Sequence, residues 1–325
     1  MDFGLILING LGELTSPTTA AFALAAIGLS VHFGYTGLLN FGQAGYMLVG
    51  AYGFALPSLA GWPLWSAFLI AVGMSLLLSL LLGLPTLRLR ADYLAIVTIS
   101  AAEILRFVVS STALTDFTGG QQGLNGFNRT FAALNPIPEG NYGIGSLTYN
   151  SYDTWVRVFA WGMVALGALL VFLLMRSPWG RTVKGIREDE DAARSLGKNT
   201  FLIKMQALIL GGLFGSLAGV LFILPRSLQP GNYATTLTFF VWAILLLGGA
   251  ATIWGPIVGS MVFWVALSLT QGILFGAIEA GYADFMSISQ AAQIRFILVG
   301  LVVMALVIFR PQGFFGNKKE LSFGV

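Results

Sequence analysis

The chain has no cysteine, which excludes disulfides, thiolate metal ligands and lipidated cysteines. Its one histidine, His32, reads as lying near a membrane boundary with no acid or nucleophile beside it, and cannot build a His-based metal site alone. Charge is scarce: Asp, Glu, Lys and Arg make up 10% of the 325 residues, against about 25% in soluble chains. No G-x-x-x-x-G-K-[ST] occurs, so the chain binds no nucleotide through a P-loop. No basic residue precedes the apolar part of MDFGLILING, so no cleavable signal peptide is expected. Ion-coupled transporters keep buried acids in their spans. Here Glu103 is the one convincing mid-span acid, and Arg106 can neutralise it. No catalytic constellation, metal site or cofactor site is expected. The net charge of +3 does not argue for nucleic acid, because the basic residues cluster at the ends of apolar runs.

What is present is apolar. Hydrophobic residues make up 56% of the chain and the mean hydropathy is +0.82. The runs are long and continuous rather than alternating, so the spans are helices and not barrel strands. The expected fold is all-α: a polytopic transmembrane helical bundle of about 9–10 spans. Residues 3–11 are too short to span alone, and 17–34 form the first full candidate. Residues 38–59 are interrupted by Gly42, Gly45, Gly50 and Gly53, which permit a broken or re-entrant helix where that backbone is lined by protein. Seven spans follow from residue 64 onward. One domain, 1–316, is expected, with a short tail at 317–325.

Charge sets the orientation. Residues 113–153 are polar and Gly-rich with one basic residue, Arg129, and read as an external loop. Arg88, Arg90, the 176–204 stretch and Arg310, Lys318 and Lys319 alternate with it and read as cytoplasmic, which puts the C-terminus inside. Outside again lie Glu279 and Asp284. Glu103 and Arg106 share a helical face at i,i+3; they read as a pair inside the bundle, the alternative being a functional intramembrane site. Gly211, Gly215 and Gly219 put three small residues on one face, for tight helix packing or for a substrate path.

The stretch 180–204 stands apart. Counting from Arg176, it holds Arg181, Lys184, Arg187, Arg194, Lys198 and Lys204, and four acids in a row, Glu188, Asp189, Glu190 and Asp191. Each charge at a helix centre costs about 2.5–3.5 kcal/mol to insert, so the segment faces water. It is either a solvated loop that fixes topology or a surface against which a partner docks.

Its residues carry a resemblance. Asp191-Ala192-Ala193-Arg194-Ser195-Leu196-Gly197 resembles the E-A-A-x-x-x-G loop of ABC-importer permeases, with Asp for the first Glu. The stretch 180–219 is similar to that of LivM-type permeases of branched-chain amino acid importers, which carry G-R-x-x-x-A-I-R-E-D-E-x-A-A-x-x-L-G; Gly185 stands where Ala is usual. Further similar blocks run in order: Gly34-Tyr35-Thr36-Gly37 through Ala44, with Asn40 and Gln43 where Ser and His are common; Tyr93 through Arg106; Thr118-Gly119-Gly120-Gln121-Gln122-Gly123-Leu124; Leu247-Gly248-Gly249 with Trp254-Gly255-Pro256; and Phe309-Arg310-Pro311-Gln312-Gly313. The resemblance implies a transport subunit that is not itself an ATPase. Two ABC ATPase subunits, a second related permease and an extracytoplasmic solute-binding protein would be its partners in a prokaryotic plasma membrane. It further implies that Arg187, Glu188, Asp189, Asp191, Ala192, Ala193 and Gly197 form the ATPase-coupling loop. Asn40, Gln43, Glu103 and Arg106 are the candidate polar residues of pathway or bundle. A urea or short-amide permease, and a stand-alone secondary transporter or channel, are the alternatives.

Overall fold

The computed structural model describes residues 3–88, 91–145, 147–281, 287–309 and 312–316. Arg90, Asp284, Arg310, Pro311, Lys318, Lys319 and the tail 317–325 lie outside the described residues.

Helix α1 is Phe3–Glu13. The next, α2, Pro17–Leu29, starts where starting is easy: the Ser16 hydroxyl accepts from Thr19 N and Pro17 occupies the first turn. It runs on as a π-helical turn, Ser30–Tyr35. After a non-helical stretch, 36–42, come α3, Gln43–Leu59, α4, Leu64–Thr86, and α5, Ala91–Val109. The loop that follows contains short α6, Thr115–Thr118, and α7, Arg129–Ala133. It also holds an antiparallel hairpin, β1 Asn141–Ile144 with β2 Leu147–Asn150, which pairs Tyr142 with Tyr149. Then come α8, Ser151–Arg176, α9, Pro178–Glu188, α10, Glu190–Ser195, and α11, Thr200–Ile223. The last are α12, Thr235–Gly248, α13, Trp254–Glu279, and α14, Ile288–Phe309. The polar loops are therefore shorter than expected: 151–153 already belong to α8, and 200–204 to α11.

Apolar helices stand where spans were expected, but not all are long enough to cross a membrane. Among the described residues five helices are: Pro17–Tyr35, Leu64–Thr86, Ser151–Arg176, Thr200–Ile223 and Trp254–Glu279. A sixth is added if Asp92–Val109 and Thr112–Thr118, bent by 60°, form one broken span. Helices α1, α3 and α12 have 11, 17 and 14 residues; at ~1.5 Å per residue each falls short of ~30 Å of hydrocarbon. Hydropathy marks α1 as too short but cannot tell α3 and α12 from full spans.

Helix α2 is the axis of the bundle. Ala20 to Ala26 are at most 2% exposed, as expected of a helix apolar on every side. Around it α11 and α3 are nearly as buried, while α4 and α8 turn Leu69, Leu77, Leu81, Leu166 and Leu173 outward. Glycine sets the approach of the inner three. A Cβ on Gly28 would lie 2.5 Å from Gly211 O, one on Gly50 2.2 Å from Ser216 O, and one on Gly219 1.9 Å from Met47 O. Backbones that meet this closely gain dispersion contact that larger side chains would prevent. At one end of the bundle Arg157 reaches Thr15 (3.0 Å) and Leu124 pairs with Leu228; the other end holds the π-helical turn, α9 and α10.

Candidate functional site

Residues 36–42 leave helical geometry inside the protein, with Thr36, Leu38, Asn40 and Gly42 buried. Backbone groups at membrane depth must find partners in the chain itself. Leu38 N donates to His32 O (2.8 Å), Phe41 N to Thr98 Oγ1 (3.0 Å) and Gly42 N to Asn40 Oδ1 (2.8 Å). Ala44 N, in the first turn of α3, donates to Thr238 Oγ1 (2.9 Å), and Trp242 Nε1 donates to Asn40 O (3.1 Å).

Three fully buried side chains cross this break. Asn40 Nδ2 donates to His32 Nδ1 (3.0 Å) and to Gln43 Oε1 (3.2 Å). Gln43 Nε2 donates to Ala25 O on α2 (3.0 Å), and His32 Nε2 lies 2.9 Å from Leu208 O on α11. Since an amide nitrogen only donates, His32 Nδ1 accepts; the proton sits on Nε2 and is given to the Leu208 carbonyl. His32 is thus the middle of a strap joining α2, α3 and α11. Sequence gave Asn40 and Gln43 as candidates and missed His32, Thr98, Thr238 and Trp242. Their role depends on segments 57 to 202 residues away, which leaves no local pattern to read.

Glu103 and Arg106 do pair, at 2.7 Å. They lie between α5 and α12 rather than in the sealed interior, with 27% and 21% of their side chains exposed. The second Glu103 oxygen, Oε1, accepts from Thr235 N (2.8 Å) and from the Thr235 hydroxyl. The N-cap position of α12 is Ala234, which has no capping side chain. Glu103 supplies the cap from another helix, where a carboxylate also suits the positive end of the helix dipole.

The charged segment folds as two helices. Ser177 caps α9, with Pro178 in the first turn, and α9 buries Val183 and Ile186 while its other face stays polar. Asp189 caps α10 through Ala192 N (2.9 Å). Arg194 in the last turn meets Glu190 (3.2 Å) and Asp191 (3.6 Å), each charge at the favoured end of the dipole. Gly197 follows at φ +76°, the left-handed turn that ends helices; a Cβ there would meet nothing, so its constraint is conformational. Ala193 turns inward, whereas Glu188, Asp189, Asp191, Ala192 and Leu196 are exposed. Glu190 ties the pair to the bundle through the Lys204 ammonium. Burial alone would raise the Glu190 carboxyl, but Lys204, the Thr200 hydroxyl and Arg194 outweigh it and hold it below its ordinary value. Arg187 points away from the exposed face and donates to the Gly34 carbonyl.

A family model described as "Branched-chain amino acid transport system / permease component" matches residues 16–308. The chain belongs to that family. The permease is 32% identical over 307 residues to the high-affinity branched-chain amino acid transport system permease protein LivM of Escherichia coli (strain K12), covering 91% of this chain and 68% of that one. It is 23% identical over 341 residues to a probable LivM permease of Methanocaldococcus jannaschii, covering 93% and 92%. It is also 27% identical over 160 residues to the autoinducer 2 import system permease LsrC of Escherichia coli O9:H4, covering 47% and 42%. A solved structure of PsaBC from Streptococcus pneumoniae in complex with Fab aligns at a TM-score of 0.41 with 16% identity, over 96% of this chain and 92% of that one.

The fold of the permease gathers blocks scattered in its sequence. A Cβ on Gly34 would lie 2.4 Å from Ala251 N, and one on Gly37 3.3 Å from Arg187 Cγ. Phe314 N and Phe315 N donate to Leu247 O and Gly248 O (both 3.0 Å). The G-Y-T-G block, the 247–256 turn, α9 and residues 314–315 therefore meet at one end of the bundle.

Proposed function

We propose that the permease is the transmembrane subunit of an ATP-driven importer and carries branched-chain amino acids across the plasma membrane of a prokaryote. The observation that carries this reading is the family match over residues 16–308, which includes a capped pair of charged helices outside the apolar bundle. Two ATPase subunits dock on the cytoplasmic side, α9–α10 fitting a cleft on the ATPase; a second related permease completes the pathway, and a solute-binding protein delivers the cargo outside. The charged pair's exposed face carries Asp191, Ala192 and Leu196, a charged, a small and an apolar side chain open to a partner surface. Arg129 as the one basic residue in 113–153 supports the external side of that loop.

The test is reconstitution of the complex with its ATPase and binding protein in liposomes. ATP-dependent uptake of leucine, isoleucine or valine is expected; uptake of urea instead moves the cargo to the short amides, and ATP-independent uptake refutes the importer. Ala192→Trp, on the exposed face, is expected to insert normally and lose the co-purifying ATPase.

A further inference from the structure

We infer that Arg187 is a positioning residue that makes α9 and the broken first helix move as one body, so that motion of α9–α10 reaches the bundle through the break at 36–42. The inference rests on the reading of α9–α10 as the ATPase-docking element. It differs from that reading in turning Arg187 inward, away from the partner.

The geometry runs in one line. The carbonyls at the end of the π-helical turn Ser30–Tyr35 need partners from beyond it: the Thr36 hydroxyl donates to Val31 O (2.8 Å), Leu38 N to His32 O (2.8 Å) and Gly37 N to Phe33 O (3.1 Å). The Arg187 guanidinium takes another, Gly34 O, and a cation suits the negative end of a helix dipole. The chain passes close beneath it: at Gly37, φ +75°, an added Cβ would lie 3.3 Å from Arg187 Cγ and 3.9 Å from Arg187 Cβ. On its other side Gly34 is wedged against Ala251. Two residues back in the same turn, His32 holds Leu208 O on α11 and, through Asn40 and Gln43, the start of α3. A displacement of Gly34 is thus passed to α11, which packs on α2, and to the start of α3.

The second tie, Glu190 to Lys204, reaches α11 directly. Both ties border a cleft of about 270 Å³ lined by Thr36, Leu38, Thr86, Ile186, Arg187 and Lys204. Along this cleft polar bridges add to the packed side chains of Val183, Ile186 and Ala193 in joining α9–α10 to the bundle. A polar bridge carries displacement only while both of its partners are present. Lys cannot replace Arg fully here, because a single ammonium lacks the fixed fork of donors.

The experiment uses the reconstituted complex, three variants and one control variant. Arg187→Ala is expected to keep the ATPase bound and to lose about tenfold in substrate-stimulated hydrolysis and uptake. Arg187→Lys is expected to recover part of that loss and to show that the position tolerates change without unfolding. The third variant exploits the cysteine-free chain. Gly37→Cys with Arg187→Cys places two Cβ atoms at about the 3.9 Å separation above, inside the 3.5–4.5 Å range that disulfides use, with Gly37→Cys alone as the control for strain in the turn. Reduced, the double variant should be uncoupled; oxidised, the covalent link should replace the lost tie and restore stimulated hydrolysis and uptake. The inference is overturned if Arg187→Ala stays fully coupled, if it releases the ATPase as Ala192→Trp does, if the cysteines do not cross-link, or if cross-linking leaves the complex uncoupled. A parent chain that binds no ATPase would instead sink the importer reading itself.

Discussion

Replacing Asn40 by alanine removes three buried hydrogen bonds at once. His32 Nδ1 and Gln43 Oε1 lose their donor, and Gly42 N loses its acceptor. All three groups lie in buried residues, so none can turn freely to bulk water. At about 1–3 kcal/mol for each orphaned group, the loss is roughly 3–9 kcal/mol, with the low end reached if a water molecule takes the vacated space. Total stabilities are about 5–15 kcal/mol, so the variant should be barely folded. Asn40→Asp keeps the shape and the Gly42 acceptor but sets an oxygen against Gln43 Oε1, and should fall between parent and alanine. Melting of the solubilised protein, followed by size-exclusion chromatography after a temperature series, gives the order. Hydrogen exchange should show residues 36–44 opening first. An Asn40→Ala protein that melts with the parent would mean that the break is held by packing alone, and the strap through His32 would lose its significance.

Gly219→Ala would bring a methyl against Met47 O and should cost about 1–3 kcal/mol by overpacking, whereas Gly162→Ala, which meets nothing within 4 Å, should leave membrane abundance unchanged. Glu103→Gln keeps an acceptor for the start of α12 but strands the Arg106 charge, while Glu103→Ala also removes the cap, worth about 1 kcal/mol. Abundance should therefore fall from parent to the Glu103→Gln, Arg106→Gln double variant, then Glu103→Gln, then Glu103→Ala; equal abundance with transport lost only on changing Glu103 would assign it to the pathway. Because the folded Glu190 carboxyl is held below its ordinary value, its contribution is complete above the unfolded pKa of about 4.3 and lost as pH falls through the lower folded one. Exchange protection of α10, corrected for intrinsic rates, should stay flat from neutral pH down to that range and drop below it, and Glu190→Gln should abolish the acid step.

The sequence by itself determined the class of the protein, its apolar helices and its charged segment, because each depends on composition or on neighbours in the chain. A run of leucines has one favourable solvent, and four successive acids cannot enter it. The helix caps at Ser16, Ser177 and Asp189 are equally local. The glycines at 211, 215 and 219 announced close packing, though not against which helix. Only the tertiary structure decided which apolar segments stop halfway, since α3 and α12 are short for reasons that lie elsewhere: Thr238 serves the start of α3, and Glu103 the start of α12. It alone turned Ala193 inward, set Arg187 on Gly34 and made His32 the middle of a strap between helices. Those facts concern buried polar groups, whose partners are fixed by which backbones come within 3 Å of one another. That proximity is a property of the packed helices, and no stretch of the chain carries it alone.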